Sequence, residues 1–393
     1  MSARRHVHVI TPGDHYSPRT GSAIPTVVHG LCGSTPAGEP RPAVVVRRDT
    51  YPDRYDSADI IEYDGARPLP LGPRSARYLD GGLGSLGLPR VSARHDFAAT
   101  VCDQGSWEPS IVLAHNAPQL VPLIDSHRHV PVLYAHNQLL RTYRSWESRR
   151  VLSRVAAIIC VSEALAEQTA AFLPRSLRDR LRVVHNGVDV EAFRREGATP
   201  AERETAPAGS GPLHVVFVGR MIPDKGADVL VDALVRLDRP DIRLTLVGSS
   251  GFSASDPLTP YEREVRAGAA TLGDRVDIRP FAPRREVSRL LQGADVVVVP
   301  SRWPEPFALT VLEGMAAGAA VIGSDIGGIP ESVRGVGILV PPGDSAGLAE
   351  ALEGLTDDRA LLARTAQACL RYARAHDWST AAAALRQALD GVA

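Results

Sequence analysis

The feature that most limits how this chain can fold is a long succession of short apolar runs, each followed by a turn or a helix-like stretch. The first part contains HVHVI (6–10), PAVVVRR (42–48), SIVLAH (110–115), VPVLYAH (130–136), AAIICVS (156–162) and LRVVHNG (181–187). A second series follows with LHVVFVG (213–219), IRLTLVG (242–248), VDIRPF (276–281), ADVVVVP (294–300), AAVIGSD (319–325) and GILVPP (337–342). Runs rich in Val, Ile and Leu that alternate with helical stretches are those of buried parallel strands in an α/β domain. Between the two series lies REGATPAERETAPAGSGP (195–212), which carries Pro, Gly, Ala and charge without a hydrophobic period, and so is expected as a linker or exposed crossover. Two doubly wound domains explain this order better than one barrel. Length agrees, because 393 residues exceed the roughly 250–300 at which single cores stop growing.

Some stretches are less regular. Residues 49–108 hold many Gly, Pro, Asp and Arg and are expected to form loops and short elements. The tail from Ser345 is helical by spacing, and Trp378 near its end serves either as a core residue or as a clamp for the tail. Asn186-Gly187 in VVHNGVD is expected to turn through positive φ, and Ser162 in CVSEAL to cap a helix.

Charge and cysteine content narrow the function. Lys plus Arg total 44 and Asp plus Glu 45, a net charge of -1 that gives no reason to expect a nucleic-acid partner. The four cysteines form no CxxC pair, and the opening MSARRHVHVITPGD runs into a strand without a secretory apolar core, so a cytoplasmic setting is expected. No apolar run approaches the roughly 18 residues of a transmembrane helix, which leaves peripheral membrane contact open.

The polar residues with most to say stand at strand ends of the second series. VVFVGRMIPDKG presents Arg220 and Lys225 after a strand, with Gly226 close to the next helix, and such a loop suits a diphosphate. It is not a Walker A loop. SRWPEPFALTVLEG puts Glu305 before, and Glu313 within, a helix expected to start around Pro306 or Phe307. The amides from Phe307 through Ala308 and Leu309 to Thr310 then face an anion, while the carboxylates suit hydroxyl-rich groups such as ribose or sugar. Gly327-Gly328 in GSDIGGIPE marks a tight turn. In the first series, Gly13 and Gly21 permit close approach to a ligand without a GxGxxG pattern. His115 and His136 end two strands, and Arg141 and Arg144 follow in HNQLLRTYR, where they meet an acceptor or product phosphate or are simply solvated. Neither a DxD-type element nor HExxH is present, so no metal site is expected.

Taken in order, GSA, LAHN, VSE, HNGVD, GRMIPDKG, LVGS, EPFALTVLEGMAAG and GGIPE resemble the retaining, nucleotide-sugar-dependent glycosyltransferases of family four over nearly the whole chain. That resemblance implies the GT-B architecture, two Rossmann-like domains facing a central cleft. It implies an acceptor-side domain over 1–195, a linker over 196–212, a donor-binding domain over 213–375 and a C-terminal helix over 376–393 that crosses back. Arg220 and Lys225 then clamp the donor diphosphate, Glu313 accepts from ribose hydroxyls, and Glu305 with the amides of Phe307, Ala308 and Leu309 holds the transferred sugar or its phosphate. His115 resembles the histidine beside the sugar, Gly21 and Ser22 belong to the phosphate loop, and Arg279, Pro280 and Phe281 form the nucleobase wall. His136, Arg141 and Arg144 are assigned to the acceptor. Ser22 departs from the family, where a second glycine is frequent, and Ala319 stands where proline is.

The implied reaction moves a hexose or N-acetylhexosamine from a nucleotide diphosphate sugar to an acceptor hydroxyl, with retention and without metal. The donor is expected to be a UDP-sugar before a GDP-sugar, used as co-substrate with no other cofactor. A small aminocyclitol or other natural product is the favoured acceptor, and an envelope glycan or lipid-linked sugar the other candidate. Alternatives are an epimerase, hydrolase or phosphorylase on the same frame, or a non-catalytic nucleotide-sugar-binding module. Monomer and homodimer are both left open.

Overall fold

The computed structural model of the chain describes residues 4–67, 69–70, 72–194, 211–255 and 257–392. It divides into two compact units, one made of residues 1–186 with 378–393, the other of 187–377. In the first, β1 (Arg5–Val9), β2 (Ala43–Arg47), β3 (Asp59–Tyr63), β4 (Ser110–His115), β5 (Val130–Ala135), β6 (Ala157–Cys160) and β7 (Leu181–Val183) form a seven-stranded sheet in the order β3-β2-β1-β4-β5-β6-β7. In the second, β8 (Leu213–Val218), β9 (Ile242–Val247), β10 (Val276–Arg279), β11 (Val296–Val299), β12 (Ala320–Ser324) and β13 (Ile338–Val340) form a six-stranded sheet ordered β10-β9-β8-β11-β12-β13. The strand pairings within both sheets are parallel.

The central strands of each sheet are buried on both faces, which is why they read as apolar without alternation. In the second unit Val215 and Phe217 join one core with Val229 and Leu230 of the helix Ala227–Leu237. Val216 and Val297 face the other way, against Leu312 and Met315 of the helix Leu309–Ala316. The strand order also reverses once in each sheet, between β1 and β4 and between β8 and β11. At such a reversal the connections leave in opposite directions and open a crevice at the carboxyl ends of the strands, where ligands of open α/β sheets bind.

Several expectations change here. The stretch 49–108 contains β3 and two regular helices, Pro73–Ser85 and Val91–Ala98. β3 lies at the sheet edge and exposes Asp59 and Glu62, so its sequence lacks the apolar run of a central strand. The chain passes between units at Asn186–Gly187, ahead of the polar segment expected as the joint; residues 195–210 lie outside those described. The reason is apolar: Val188 and Phe193 are buried in the second unit's core, and Val188 bridges to Asp377. Neither Asn186 nor Gly187 has a positive φ. Ser162 does cap its helix, its hydroxyl accepting from the Leu165 N–H at 3.1 Å.

The final helix, Trp378–Leu389, belongs to the first unit. Trp378 is buried against the helix Ala23–Gly33, and a Cβ on Gly30 would lie 2.1 Å from its indole. Only a residue without a side chain leaves that space.

Candidate functional site

The loop after β8 is drawn against the loop after β11 by backbone fit. Gly226, at φ 69°, ends the turn Pro223–Lys225 in the left-handed region, and a Cβ there would stand 2.0 Å from the Pro300 carbonyl oxygen. Asp224 adds two bonds, its carbonyl accepting from the N–H of Arg302 at 2.9 Å and of Trp303 at 3.3 Å. With the backbones so fixed, Lys225 Nζ donates to Glu305 Oε1 at 2.5 Å, and the Ser301 hydroxyl donates to the same oxygen at 3.0 Å. Glu305 is buried, and burial of a carboxylate is tolerated only with such partners. Its Oε2 has no partner among the described residues, so one acceptor oxygen remains for a hydroxyl.

The turn after β12 completes this corner. Gly327, at φ 61°, rests on the Glu305 backbone so closely that a Cβ would lie 2.5 Å from its carbonyl oxygen, and the Gly328 N–H donates to that oxygen at 2.7 Å. Arg220, on the β8 loop, is exposed and has no side-chain partner among the described residues. Thus Lys225 and Glu305, read from motifs 80 residues apart, are in contact across the second strand-order reversal. Arg220 is on the same loop as Lys225 but is not part of that pair.

The helix expected from Pro306 or Phe307 begins at Leu309, with Ala308 as its N-cap. Pro306 and Phe307 stay ahead of the helix, and Ala308 offers no capping side-chain oxygen; its carbonyl takes the Val311 N–H at 3.0 Å, while the N–H groups of Leu309 and Thr310 keep their donor capacity. Glu313 is buried one turn on and accepts at Oε1 from Arg284 Nη2 at 2.7 Å. Arg284 opens the helix Arg284–Gln292 and lies over the Phe193 ring at 5.5 Å. This partner of Glu313 was not singled out from sequence: nothing in PRREV distinguishes it from its arginine neighbour. The strand end at Arg279, Pro280 and Phe281 is held by the Phe281 N–H donating to Ser249 Oγ at 3.0 Å, while Arg279 pairs with Asp277 at 2.7 Å. Phe252 meets Phe281 edge to face at 6.3 Å and is itself exposed.

In the first unit His115 ends β4 and His136 directly follows β5, and both are buried. His115 has no exposed surface, and both of its ring nitrogens are taken, Nε2 by His8 at 2.9 Å and Nδ1 by His136 at 2.8 Å. Burial holds the His8 and His136 rings down to about 3, and His115 well below the usual imidazole range, so all three are neutral at pH 7. Asn116 takes φ 52° and its side-chain oxygen accepts from the His136 N–H at 2.7 Å, which explains the asparagine in LAHN. Gly21 is exposed and Ser22 is the N-cap position of the helix Ala23–Gly33, though its side chain makes no cap bond. Arg141 and Arg144 are exposed and have no side-chain partners among the described residues. Among the described residues no cluster of His, Cys, Asp or Glu is arranged to hold a metal, and no helix is long and apolar enough to cross a membrane.

Two parallel-sheet Rossmann-like units in one chain are the architecture of the GT-B class. Residues 2–192 match the family model described as Glycosyltransferase Family 4 and residues 199–376 that of Glycosyl transferases group 1. Each half of the chain therefore matches a glycosyltransferase family model. It is 30% identical over 241 residues to the spore coat protein SA of Bacillus subtilis, covering 60% of this chain and 61% of that protein. It is 35% identical over 216 residues to a D-inositol 3-phosphate glycosyltransferase of Streptomyces avermitilis, covering 53% and 46%. The chain therefore spans about half to three fifths of the curated relatives it matches. The crystal structure of Anabaena HepE in complex with UDP and glucose shares the fold, with a TM-score of 0.71 at 20% identity over 99% of this chain and 100% of that one.

Proposed function

We propose that this protein transfers a hexose or N-acetylhexosamine from a nucleotide diphosphate sugar to an acceptor hydroxyl, with retention of configuration. The observation that carries the reading is the Lys225–Glu305 pair with Arg220 on the same loop, at the carboxyl end of β8 and β11. A departing nucleoside diphosphate develops negative charge, and Lys225, held by Glu305, with the exposed Arg220 and the helix amides of Leu309 and Thr310 stabilises it most when the bond is breaking. Glu305 aligns the lysine and keeps a second oxygen for a sugar hydroxyl; Glu313, aligned by Arg284, does the same for ribose. Neither carboxylate is cast as a nucleophile, since each is already committed to a cation. Charge compensation by Arg and Lys makes the transfer independent of metal. UDP is the donor nucleotide to test first, in keeping with the UDP and glucose in the HepE structure.

For the acceptor, a phosphorylated cyclitol comes first. Relatives of this chain are named for inositol 3-phosphate, and Arg141 and Arg144 are exposed cations after β5 that suit a phosphate. An unphosphorylated aminocyclitol or other natural product is the next class to try. The deciding experiment is a donor-by-acceptor screen by mass spectrometry, with and without chelator, and with the anomeric configuration of any product determined. Transfer from a UDP-sugar that survives chelation supports the reading. Donor binding without turnover across the panel would support the alternative of a binding module, and inversion at the anomeric carbon would reject the retaining assignment.

A further inference from the structure

His8, His115 and His136 form one file of imidazoles across the first sheet. His8 is in β1, His115 ends β4 beside it and His136 follows β5, each a step nearer the carboxyl edge. In both contacts the ring centroids are 5.1 Å apart, the N···N distance plus one ring radius on either side, with planes 25° and 17° apart. The rings therefore meet edge to edge, in the geometry of N–H···N hydrogen bonds rather than of face stacking. Tyr134 lies at 4.9 Å from His115 and 4.7 Å from His136 and holds the two rings in place.

A neutral imidazole has one N–H and one lone pair. Two bonds in series then allow only two arrangements. In one, His8 Nδ1 donates to His115 Nε2 and His115 Nδ1 donates to His136 Nε2, so His136 presents Nδ1–H. In the other every proton sits on Nε2, the donors and acceptors reverse, and His136 presents a bare Nδ1. Passing from the first to the second takes one proton in at His8 Nε2 and releases one from His136 Nδ1, with no net charge on the file. His8 lines a cavity of about 250 Å³ together with His6, Glu39 and Arg386, large enough for several waters to exchange that proton.

We infer that His8 is a positioning residue: through His115 it fixes whether His136 offers a hydrogen-bond donor or an acceptor at the carboxyl end of β5. The role of that group in catalysis rests on the proposed transfer reaction, but the coupling among the rings does not. The groups that bear on the file's charge are His6 beside His8, and Arg386 facing His6.

The test is long-range ¹H–¹⁵N NMR of the full chain labelled in histidine, at pH 7. All three rings are expected neutral and in one shared tautomer. An orphaned buried N–H is rarer than an orphaned lone pair. His8→Phe should therefore drive His115 and His136 to Nδ1–H, and His136→Phe should drive His115 and His8 to Nε2–H. A charged ring, opposite tautomers on neighbours, or the same His115 tautomer in both end variants would overturn the coupling. In turnover, a wild type whose rings carry Nε2–H should lose kcat about tenfold in His8→Phe, the worth of one buried hydrogen bond, with donor KM unchanged and with His8→Gln restoring it, whereas a wild type already in the Nδ1–H arrangement, which His8→Phe leaves unmoved, would remove His8 from the reaction. Unchanged kcat in a His8→Phe protein whose tautomers have moved would remove His8 from the reaction. If no form of the protein transfers sugar, the NMR outcome still stands, so failure of the proposed function and failure of this inference are separable.

Discussion

Acidification from pH 7.5 to 5.0 should strip stability from the first unit. His8 and His136 are held to about 3 by burial, whereas in the unfolded chain each protonates near the ordinary value of about 6.5. The sign follows from proton counting. Below about 6.5 the unfolded state takes up protons that the native state refuses until about 3, so stability falls with pH across that window and is flat above it. At pH 5.0 each ring contributes about 2 kcal/mol of loss, at 1.36 kcal/mol per unit between 6.5 and 5.0, and the pair about 4 kcal/mol. His115, lowered for the same reason, adds in the same direction. Asp14, a carboxyl raised by burial, gains stability on acidification and so opposes the trend. A loss of this size is comparable to the whole stability of many domains, about 5–15 kcal/mol. Urea unfolding followed by tryptophan fluorescence reads it, since Trp107 and Trp378 are buried in this unit. The His8→Gln protein should lose about 2 kcal/mol less over the same interval. Unfolding free energies within about 1 kcal/mol of each other at the two pH values would refute the argument, because the unfolded rings must then titrate with the native ones.

Three other outcomes follow, two from the site and one from the packing of the C-terminal helix. Lys225→Ala should cut turnover by about 10²-fold or more and also destabilise the second unit by about 2–4 kcal/mol, because Glu305 keeps only Ser301 as a partner; Lys225→Gln should keep the fold and lose only the turnover, and near-wild-type kcat in that variant would reject the phosphate role. Arg284→Ala and Glu313→Gln should each weaken donor binding about tenfold by calorimetry, with the double variant little worse than either, as expected for two members of one contact. Gly30→Leu should displace the C-terminal helix, seen as a red shift of Trp378 emission, since its side chain would need the space that the indole fills.

Legibility in the sequence followed burial. Strands closed on both faces, such as β2, β4, β6, β11 and β12, announce themselves by composition alone, and the edge strands β7, β10 and β13 were found from the apolar residues around them, whereas β3, with Asp59 and Glu62 at an edge, was not. The helix Pro73–Ser85 escaped for a related reason: three glycines in its second half lower its propensity. At the site, motif position identified Lys225 and Glu305 but not their contact, which depends on Gly226 fitting under Pro300. Arg284 and His8 were invisible because their roles arise from neighbours far along the chain, 29 and 107 residues away.

The two units place very different chemistry at the same topological point. Both sheets reverse strand order once, and in each a side-chain contact joins the two loops or strand ends at the reversal. In the second unit the contact is Lys225 to Glu305, with Arg220 nearby and Arg284 to Glu313 beyond. Charged groups survive burial there because each has an opposite partner and a remaining path to solvent or ligand. In the first unit it is His8 to His115 to His136, three rings that burial keeps neutral. A diphosphate carries charge that only the second arrangement offsets, whereas a neutral hydroxyl is best met by a neutral donor or acceptor of defined tautomer. Shared topology thus supplies two strand-order reversals, and under the proposed transfer reaction the ionisation each core permits would decide which reactant belongs at which.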